Sequence, residues 1–113
     1  MEIETSKEAD CLIVRFPEYI TLDCLESWSG KFKTSLVGKA GLSLLLDTNL
    51  HNFDSVECLK WLRKFLTQEN VVIQAIDKVA FVQPEAYRQS EVVSDSEAYF
   101  NNIIRARKWL NLP

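Results

Sequence analysis

The chain has 113 residues, 47% of them hydrophobic and 26% charged, which is an ordinary composition for a globular protein with its own core. Its net charge of −3 differs from that of general nucleic-acid binders, which are usually basic. From this length and charge we expect a single domain over residues 1–113 with no nucleic-acid partner. Because no apolar stretch approaches the roughly 20 residues of a membrane helix, we also expect no membrane span.

Three cysteines, Cys11, Cys24 and Cys58, are far apart in the sequence. An odd number without a C-x-x-C spacing fits neither a disulfide framework nor a zinc site. Each lies in an apolar pattern, which predicts buried thiols in a reducing compartment. The N-terminal residues also lack the pattern of a secretory signal. We therefore expect a cytoplasmic protein with no metal and no cofactor.

The N-terminal part of the chain predicts a hairpin and then a helix. Residues 1–5 and 11–16 have the character of two antiparallel strands, joined by a polar turn through residues 6–10. Thr21 or Asp23 is suited to cap a first helix. The inner face of that helix is predicted from apolar side chains at spacings of three and four, namely Leu25, Trp28, Phe32 and Leu36.

A central strand and a second helix follow. Gly38 and Gly41 end the first helix, and the nearly continuous apolar run 42–46 predicts a central strand with parallel neighbours. A polar turn then leads to Asp54, which is suited to cap the second helix. The apolar face of this helix is formed by Cys58, Leu59, Trp61, Leu62, Phe65 and Leu66.

The C-terminal part predicts two more strands and a last helix. Residues 71–76 leave two alternatives open, a helix resumed after a break or a short turn, because β-branched side chains weaken a helix. A buried strand is expected over 78–82 and a short one over 99–101, and Asn101 or Asn102 caps the last helix. Between those strands, the polar residues predict only an irregular surface segment. The order β-β-α-β-α-β-β-α implies an α/β fold with a mostly parallel sheet and one antiparallel edge.

This order resembles the STAS-like superfamily, which includes the anti-sigma-factor antagonists and the SpoIIAA-like proteins of bacteria. The resemblance rests on four features: the hairpin start, the strand and turn over 42–55, the strand 78–82, and the ending 100–110 with its aromatic residue, turn, helix and Trp-Leu pair. The resemblance implies a mixed four- or five-stranded sheet with helices mainly on one face. It also implies a regulatory, protein-binding role in a bacterial cytoplasm rather than an enzymatic one.

The turn before the second helix carries a phosphorylation site in the anti-sigma-factor antagonists, where it contains Asp-Ser-Ser-Gly and a partner kinase modifies the second serine. Asp54 and Ser55 match the first two positions, whereas Val56 replaces the modified serine and Glu57 replaces the glycine. A phosphate on Ser55 would lie at a helix N-terminus, which favours anions. The plainer alternative is that Asp54 and Ser55 only cap the helix.

Polar side chains are also expected to meet at the carboxyl end of the central strand, where open α/β sheets bind ligands. Asp47, His51 and Asp54 lie in or near this region, and a histidine between carboxylates is suited to proton transfer or metal binding. However, His51 is the only histidine of the chain and no metal-binding spacing surrounds it. A hydrolase using Asp47, His51 and Ser55 is the least favoured interpretation, because these residues are too close in sequence to form a triad easily.

Aromatic and basic residues offer a further candidate surface. Trp61 lies at the margin of the second helix's apolar face beside Phe65, and partial exposure of both would mark a contact patch. The alternatives are that the three tryptophans are core residues or that they line a pocket for a lipid. The basic residues of the second and last helices form either two solvated faces or one merged anion-binding surface; they are Lys60, Arg63, Lys64, Arg105, Arg107 and Lys108.

The favoured hypothesis is a non-enzymatic module that docks a protein partner, or a second copy of itself, through residues 49–57 and the second helix. The first alternative is a carrier of a small apolar ligand or lipid, which requires an apolar cavity of a few hundred Å³ between the sheet and the helices. The second is an enzyme, which requires converging titratable groups with shifted pKa values.

Overall fold

A computed structural model describes residues 3–17, 20–47, 56–83 and 90–112, apart from the side chains of residues 56 and 59. Within these residues the chain forms the following strands and helices: β1 (Glu4–Glu8), β2 (Cys11–Arg15), α1 (Leu22–Leu36), β3 (Leu42–Asp47), α2 (Val56–Gln68), α3 (Asn70–Ala75), β4 (Ile76–Val82), β5 (Glu91–Val92), β6 (Glu97–Phe100) and α4 (Ile103–Trp109).

The strands form one mixed sheet in the order β1-β2-β3-β4-β6-β5. The four inner strands are parallel to one another, and β1 and β5 are antiparallel at the two edges. The α/β class and the mostly parallel sheet are therefore confirmed. The expected strand number and the single antiparallel edge are wrong, because the described residues form six strands. The missed strand, β5, has only two residues, which is too short for an alternating pattern to reveal.

The N-terminal hairpin is confirmed, but its first strand is displaced from the expected residues 1–5. Strand β1 runs to Glu8, which pairs with Cys11, so the turn consists of Ala9 and Asp10 alone. Ala9 takes a φ of 52°, a conformation that residues with a β-carbon rarely adopt. Since β1 is a largely exposed edge strand with polar residues on both faces, no apolar alternation marks its extent.

Helix α1 begins and ends largely where the sequence predicts, whereas the predicted cap of α2, Asp54, lies outside the described residues. Thr21 caps α1, and its Oγ1 accepts a hydrogen bond from the backbone N–H of Cys24 at 3.2 Å. Gly38 follows the helix with a φ of 76°, the left-handed conformation that favours glycine. Helix α2 spans the expected apolar face and stops before Glu69, whose ψ of 115° is extended.

Of the segment over 71–76, residues 71–75 form a helix resumed after a break, since α3 follows Glu69 directly. Strand β4 then begins at Ile76, two residues earlier than expected. The register moves from Leu42 opposite Ile76 to Ser43 opposite Lys78, so Asp77 is the extra residue of a β-bulge. Near the C-terminus, Asn102 caps α4, and its Oδ1 accepts from the N–H of Ile104 at 2.7 Å.

The sheet separates two cores. Helices α1, α2 and α3 pack on one face, around Leu44, Leu46 and Phe81, while α4 packs on the other, around Leu45 and Ala80. The expectation of helices mainly on one face is thus confirmed. Because α2 and α4 lie on opposite faces, their basic residues do not merge into one surface, and that alternative is wrong. No helix in the described ranges is long and apolar enough to cross a membrane.

Candidate functional site

The carboxyl end of β3 carries Asp47, as predicted. Its carboxylate lies 3.7 Å from Nε of Arg15, its register partner on β2, and the two side chains are 16% and 62% exposed. This contact is a partly solvated cross-strand ion pair. His51, Asp54 and Ser55 lie outside the described residues, so their convergence with Asp47 stays a prediction, as does phosphorylation of Ser55.

A polar contact that sequence reasoning missed joins the ends of β4 and β6. The side-chain amide of Asn101 donates to the backbone carbonyl of Gln83 at 3.0 Å, and its Oδ1 accepts from both the N–H and the hydroxyl of Ser90 at 3.1 Å. These bonds tie three chain segments together where the strands end. We interpret them as structural, because two of the three satisfy backbone groups next to the strand ends, the N–H of Ser90 and the carbonyl of Gln83.

The aromatic residues of α2 divide between the core and the surface. Phe65 is only 6% exposed, lies 5.8 Å from Trp28 between ring centroids, and belongs to the core. Trp61 is half-buried and stacks on Phe65 at 5.4 Å with the rings 6° from parallel. The partial exposure required of both residues is therefore present only at Trp61. Phe65 faces inward because α2 packs against α1 along the side that carries it.

The three tryptophans do not line one pocket. Trp28 belongs to α1 and is buried in the core, where its Nε1 donates to Oγ1 of Thr5 at 3.2 Å. Trp109 lies with α4 on the opposite face of the sheet, 6.1 Å from Phe100. The alternative of a lipid pocket lined by all three is therefore wrong.

The outer face of α2 is basic. Lys60, Arg63 and Lys64 are all exposed, as expected for the polar side of this helix. In the part of the chain that the structure describes, no carboxylate forms an ion pair with Lys60 or Lys64. The half-buried ring of Trp61 lies on the same helix, one residue from Lys60. The chain as a whole carries a net charge of −3, so this face is a local reversal of sign.

A groove of about 240 Å³ lies on the α2 side of the sheet, between the helices and strands β4 and β6. Its lining is largely apolar with a charged rim and consists of Arg63, Leu66, Thr67, Ile73, Ile76, Asp77, Val79, Phe81, Ser96, Glu97 and Tyr99. The volume matches the few hundred Å³ that a carrier of a small ligand requires. The groove is open to solvent rather than enclosed.

The inner side of this groove is an aromatic pair. Phe81 and Tyr99 are register partners on β4 and β6, and their rings stack at 4.7 Å. The hydroxyl of Tyr99 donates to Oε2 of Glu97 at 2.8 Å, and the guanidinium of Arg63 lies over the Tyr99 ring, 5.5 Å from its centroid. Sequence reasoning missed the groove because its walls come from distant parts of the chain. The one local signal is Asp77, an acid next to the apolar strand 78–82.

The buried thiols and the groups with shifted pKa values are not among the residues that line the groove. Cys11 and Cys58 are buried as expected, whereas Cys24 is partly exposed. Burial raises the pKa of the Cys11 thiol to about 11. Hydrogen bonds from Nη2 of Arg107 to both oxygens of Glu8, at 2.7 and 2.9 Å, raise the pKa of that guanidinium. These groups connect α4 to the first hairpin, at a distance in the fold from Asp47, which ends β3.

No group of three or more histidine, cysteine, aspartate or glutamate side chains suited to a metal ion occurs among the described residues. The donor set around Asp47 that the sequence suggested includes His51 and Asp54, which lie outside them. The described residues therefore offer two candidate functional surfaces: the basic outer face of α2 and the adjacent groove.

Comparison with solved structures finds an uncharacterised protein of the DUF3478 family from Shewanella loihica PV-4, described as having a SpoIIAA-like fold. The two chains are 17% identical and align with a TM-score of 0.63 over 96% of this chain and 91% of the other. No protein family and no curated protein sequence matches this chain. The fold is therefore SpoIIAA-like, as the resemblance predicted, and at this identity the likeness shows the fold alone.

Proposed function

We propose that this protein is a non-enzymatic regulatory module that docks an acidic protein partner on the outer face of α2. The observation that carries the proposal is the half-buried Trp61, held flat against Phe65 and flanked by the exposed Lys60 and Lys64. The docking turn over 49–57 and the residues Asp47, His51, Asp54 and Ser55 belong to the same proposal, because in the sequence they lead from β3 into α2.

The physical support is the combination of a rigid aromatic ring with two cations, Lys60 and Lys64, that form no ion pair with any carboxylate among the described residues. Interfaces commonly concentrate their binding energy in a few aromatic and arginine anchors surrounded by residues that exclude water. Trp61 is already ordered by its stack on Phe65. Its side chain therefore loses little entropy when a partner covers it. Lys60 and Lys64 attract an acidic segment and speed its encounter with the helix. The SpoIIAA-like fold is also generally a non-enzymatic one.

The test compares the two faces of the sheet. Trp61→Ala removes the proposed anchor, and Trp109→Ala removes a tryptophan of similar partial burial from the opposite face. Tagged wild-type and variant chains are purified from the native host, and the co-purifying proteins are identified by mass spectrometry. We expect a stoichiometric partner with wild type and Trp109→Ala, and its loss with Trp61→Ala.

Charge is tested by a second matched pair. Reversal of Lys60 and Lys64 to glutamate is expected to abolish the complex, whereas reversal of Arg105 and Lys108 on α4 leaves it intact. Both pairs are exposed, so each variant is expected to fold. Retention of the partner by the α2 variants, or its loss from the α4 variants instead, would contradict docking on α2.

A further inference from the structure

The groove beside α2 has the dimensions of a small-molecule site. Its walls include Leu66, Ile73, Ile76 and Val79, and its volume is about 240 Å³. A protein cavity of about 150 Å³ lined by such side chains binds benzene. The groove therefore has room for one ring, or a branched alkyl group of similar size, together with a short polar head group.

The charged rim restricts which head group fits. Asp77 and Glu97 lie on the strand side of the groove, on the neighbouring strands β4 and β6. Val79 is the register partner of Glu97, so Asp77 is two residues away from the position opposite Glu97. Within the described residues, the Asp77 carboxylate has no hydrogen-bond or ion-pair partner, and only one oxygen of Glu97 is engaged, by the Tyr99 hydroxyl. On the helix side lies the guanidinium of Arg63.

The bulge in β4 contributes to this arrangement. Regular pleating already places Asp77, Val79 and Phe81 on one side of β4, because alternate residues of a strand share a face. Asp77 is the extra residue opposite β3, and the bulge brings its neighbour Ile76 to the same side, so that Ile76 also borders the groove. A buried apolar strand thus presents a carboxylate at the edge of an apolar surface.

We propose that this groove binds a small apolar zwitterion, namely a free amino acid with an aromatic or branched side chain. The ammonium group lies between the carboxylates of Asp77 and Glu97, the carboxylate pairs with Arg63, and the side chain packs on Ile76 and Val79. A ligand with only a cation would leave Arg63 facing a like charge. A ligand with only an anion would face two carboxylates, so the zwitterion is the charge-complementary occupant.

Three probes with the same phenyl body separate these cases in the full chain labelled with ¹⁵N. L-Phenylalanine carries both charges, phenethylamine only the ammonium, and 3-phenylpropionate only the carboxylate. Backbone chemical shifts are followed during titration, with Thr67, Asp77 and Glu97 as reporters in the groove and Arg105 as a distant control. We expect L-phenylalanine to bind with a dissociation constant of about 1 mM or tighter, and the single-charge probes about tenfold more weakly.

Exposed variants then assign each charge. Arg63→Gln is expected to abolish the preference for L-phenylalanine over phenethylamine, and Asp77→Asn to reduce the preference over 3-phenylpropionate. Lys64→Gln removes the neighbouring cation of α2, which does not line the groove, and is expected to change neither preference. Because all three side chains are exposed, these substitutions are expected to leave the fold intact.

The outcomes that overturn the inference are distinct. Absence of shifts at the groove reporters with about 10 mM L-phenylalanine would exclude an apolar zwitterion as the ligand. Equal or tighter binding of phenethylamine would mean that the groove selects cations. Shifts that map to α4 would place any binding on the other face of the sheet. None of these results bears on partner docking, which depends on Trp61 and the lysines of α2.

Discussion

Leu45 lies at the centre of β3 with no exposed surface, and its replacement by alanine tests the smaller core under α4. The loss of three carbons from the core costs about 2.4 kcal/mol in transfer free energy, at about 0.8 kcal/mol per buried carbon. A cavity of roughly 70 Å³ that stays open adds about 1.7 kcal/mol at 24 cal/mol per Å³. We therefore expect the free energy of unfolding to fall by about 4 kcal/mol.

The upper part of the usual range applies here because the surroundings of Leu45 cannot collapse easily. Its register partner on β4 is Ala80, and Ala98 and Ala106 belong to the same cluster. These side chains are too short to fill the space that the leucine vacates. A cavity that stays open retains its full energetic cost.

The assay is equilibrium unfolding in urea, with stability compared at an unchanged m-value. Val37→Ala serves as the control, since Val37 is 68% exposed and its truncation should change stability by less than about 0.5 kcal/mol. Leu45→Met keeps the volume and should cost less than about 1.5 kcal/mol. A loss below about 1 kcal/mol for Leu45→Ala would refute the central position of β3.

Three further perturbations have defined outcomes. Thr21→Ala removes the cap of α1 and should cost about 1 kcal/mol in urea melts, whereas Thr34→Ala, at an exposed position within the helix, should not destabilise it. Because burial raises the pKa of Cys11 to about 11 from its ordinary value of 9.0, the folded protein keeps a proton that the unfolded chain releases. The free energy of unfolding therefore falls as pH rises through this interval, by up to about 3 kcal/mol, and that of Cys11→Ala should fall less. His51→Ala should change stability by less than about 0.5 kcal/mol, and a large drop in melting temperature would mean that the ring is buried and hydrogen-bonded.

Much of the fold is predictable because the inner elements carry strong patterns. The apolar run 42–46 indicated a central parallel strand, and β3 is paired on both sides by parallel strands. The spacing of apolar residues after Thr21 indicated α1, and its side chains at these positions are buried. In these cases local propensity and tertiary packing favour the same structure.

The edges of the sheet are less predictable, for physical reasons. Strand β1 is largely exposed and β5 has two residues, so neither shows the alternation that a half-buried strand requires. The turn at Ala9 has none of the glycine or asparagine that usually marks a hairpin. Such segments take their structure from pairing with β2 and β6 rather than from their own sequence.

The candidate site was predictable only in part. Trp61 was identified from its place at the margin of the apolar face of α2, but the burial of Phe65 depends on how α2 packs against α1. The groove depends on a β-bulge and on side chains from α2, α3, β4 and β6. No periodic pattern in the sequence encodes such an arrangement of distant segments.

Docking on α2 is tested most directly by cross-linking the protein to its partners in cells of its native host and mapping the linked lysines by mass spectrometry. Lys60 and Lys64 report on the proposed face, and Lys108 reports on the opposite face of the sheet. We predict that one acidic protein is linked mainly to Lys60 and Lys64, and that Trp61→Ala removes these links. Links concentrated at Lys108, or a chain that forms links to no other protein, would contradict docking on α2.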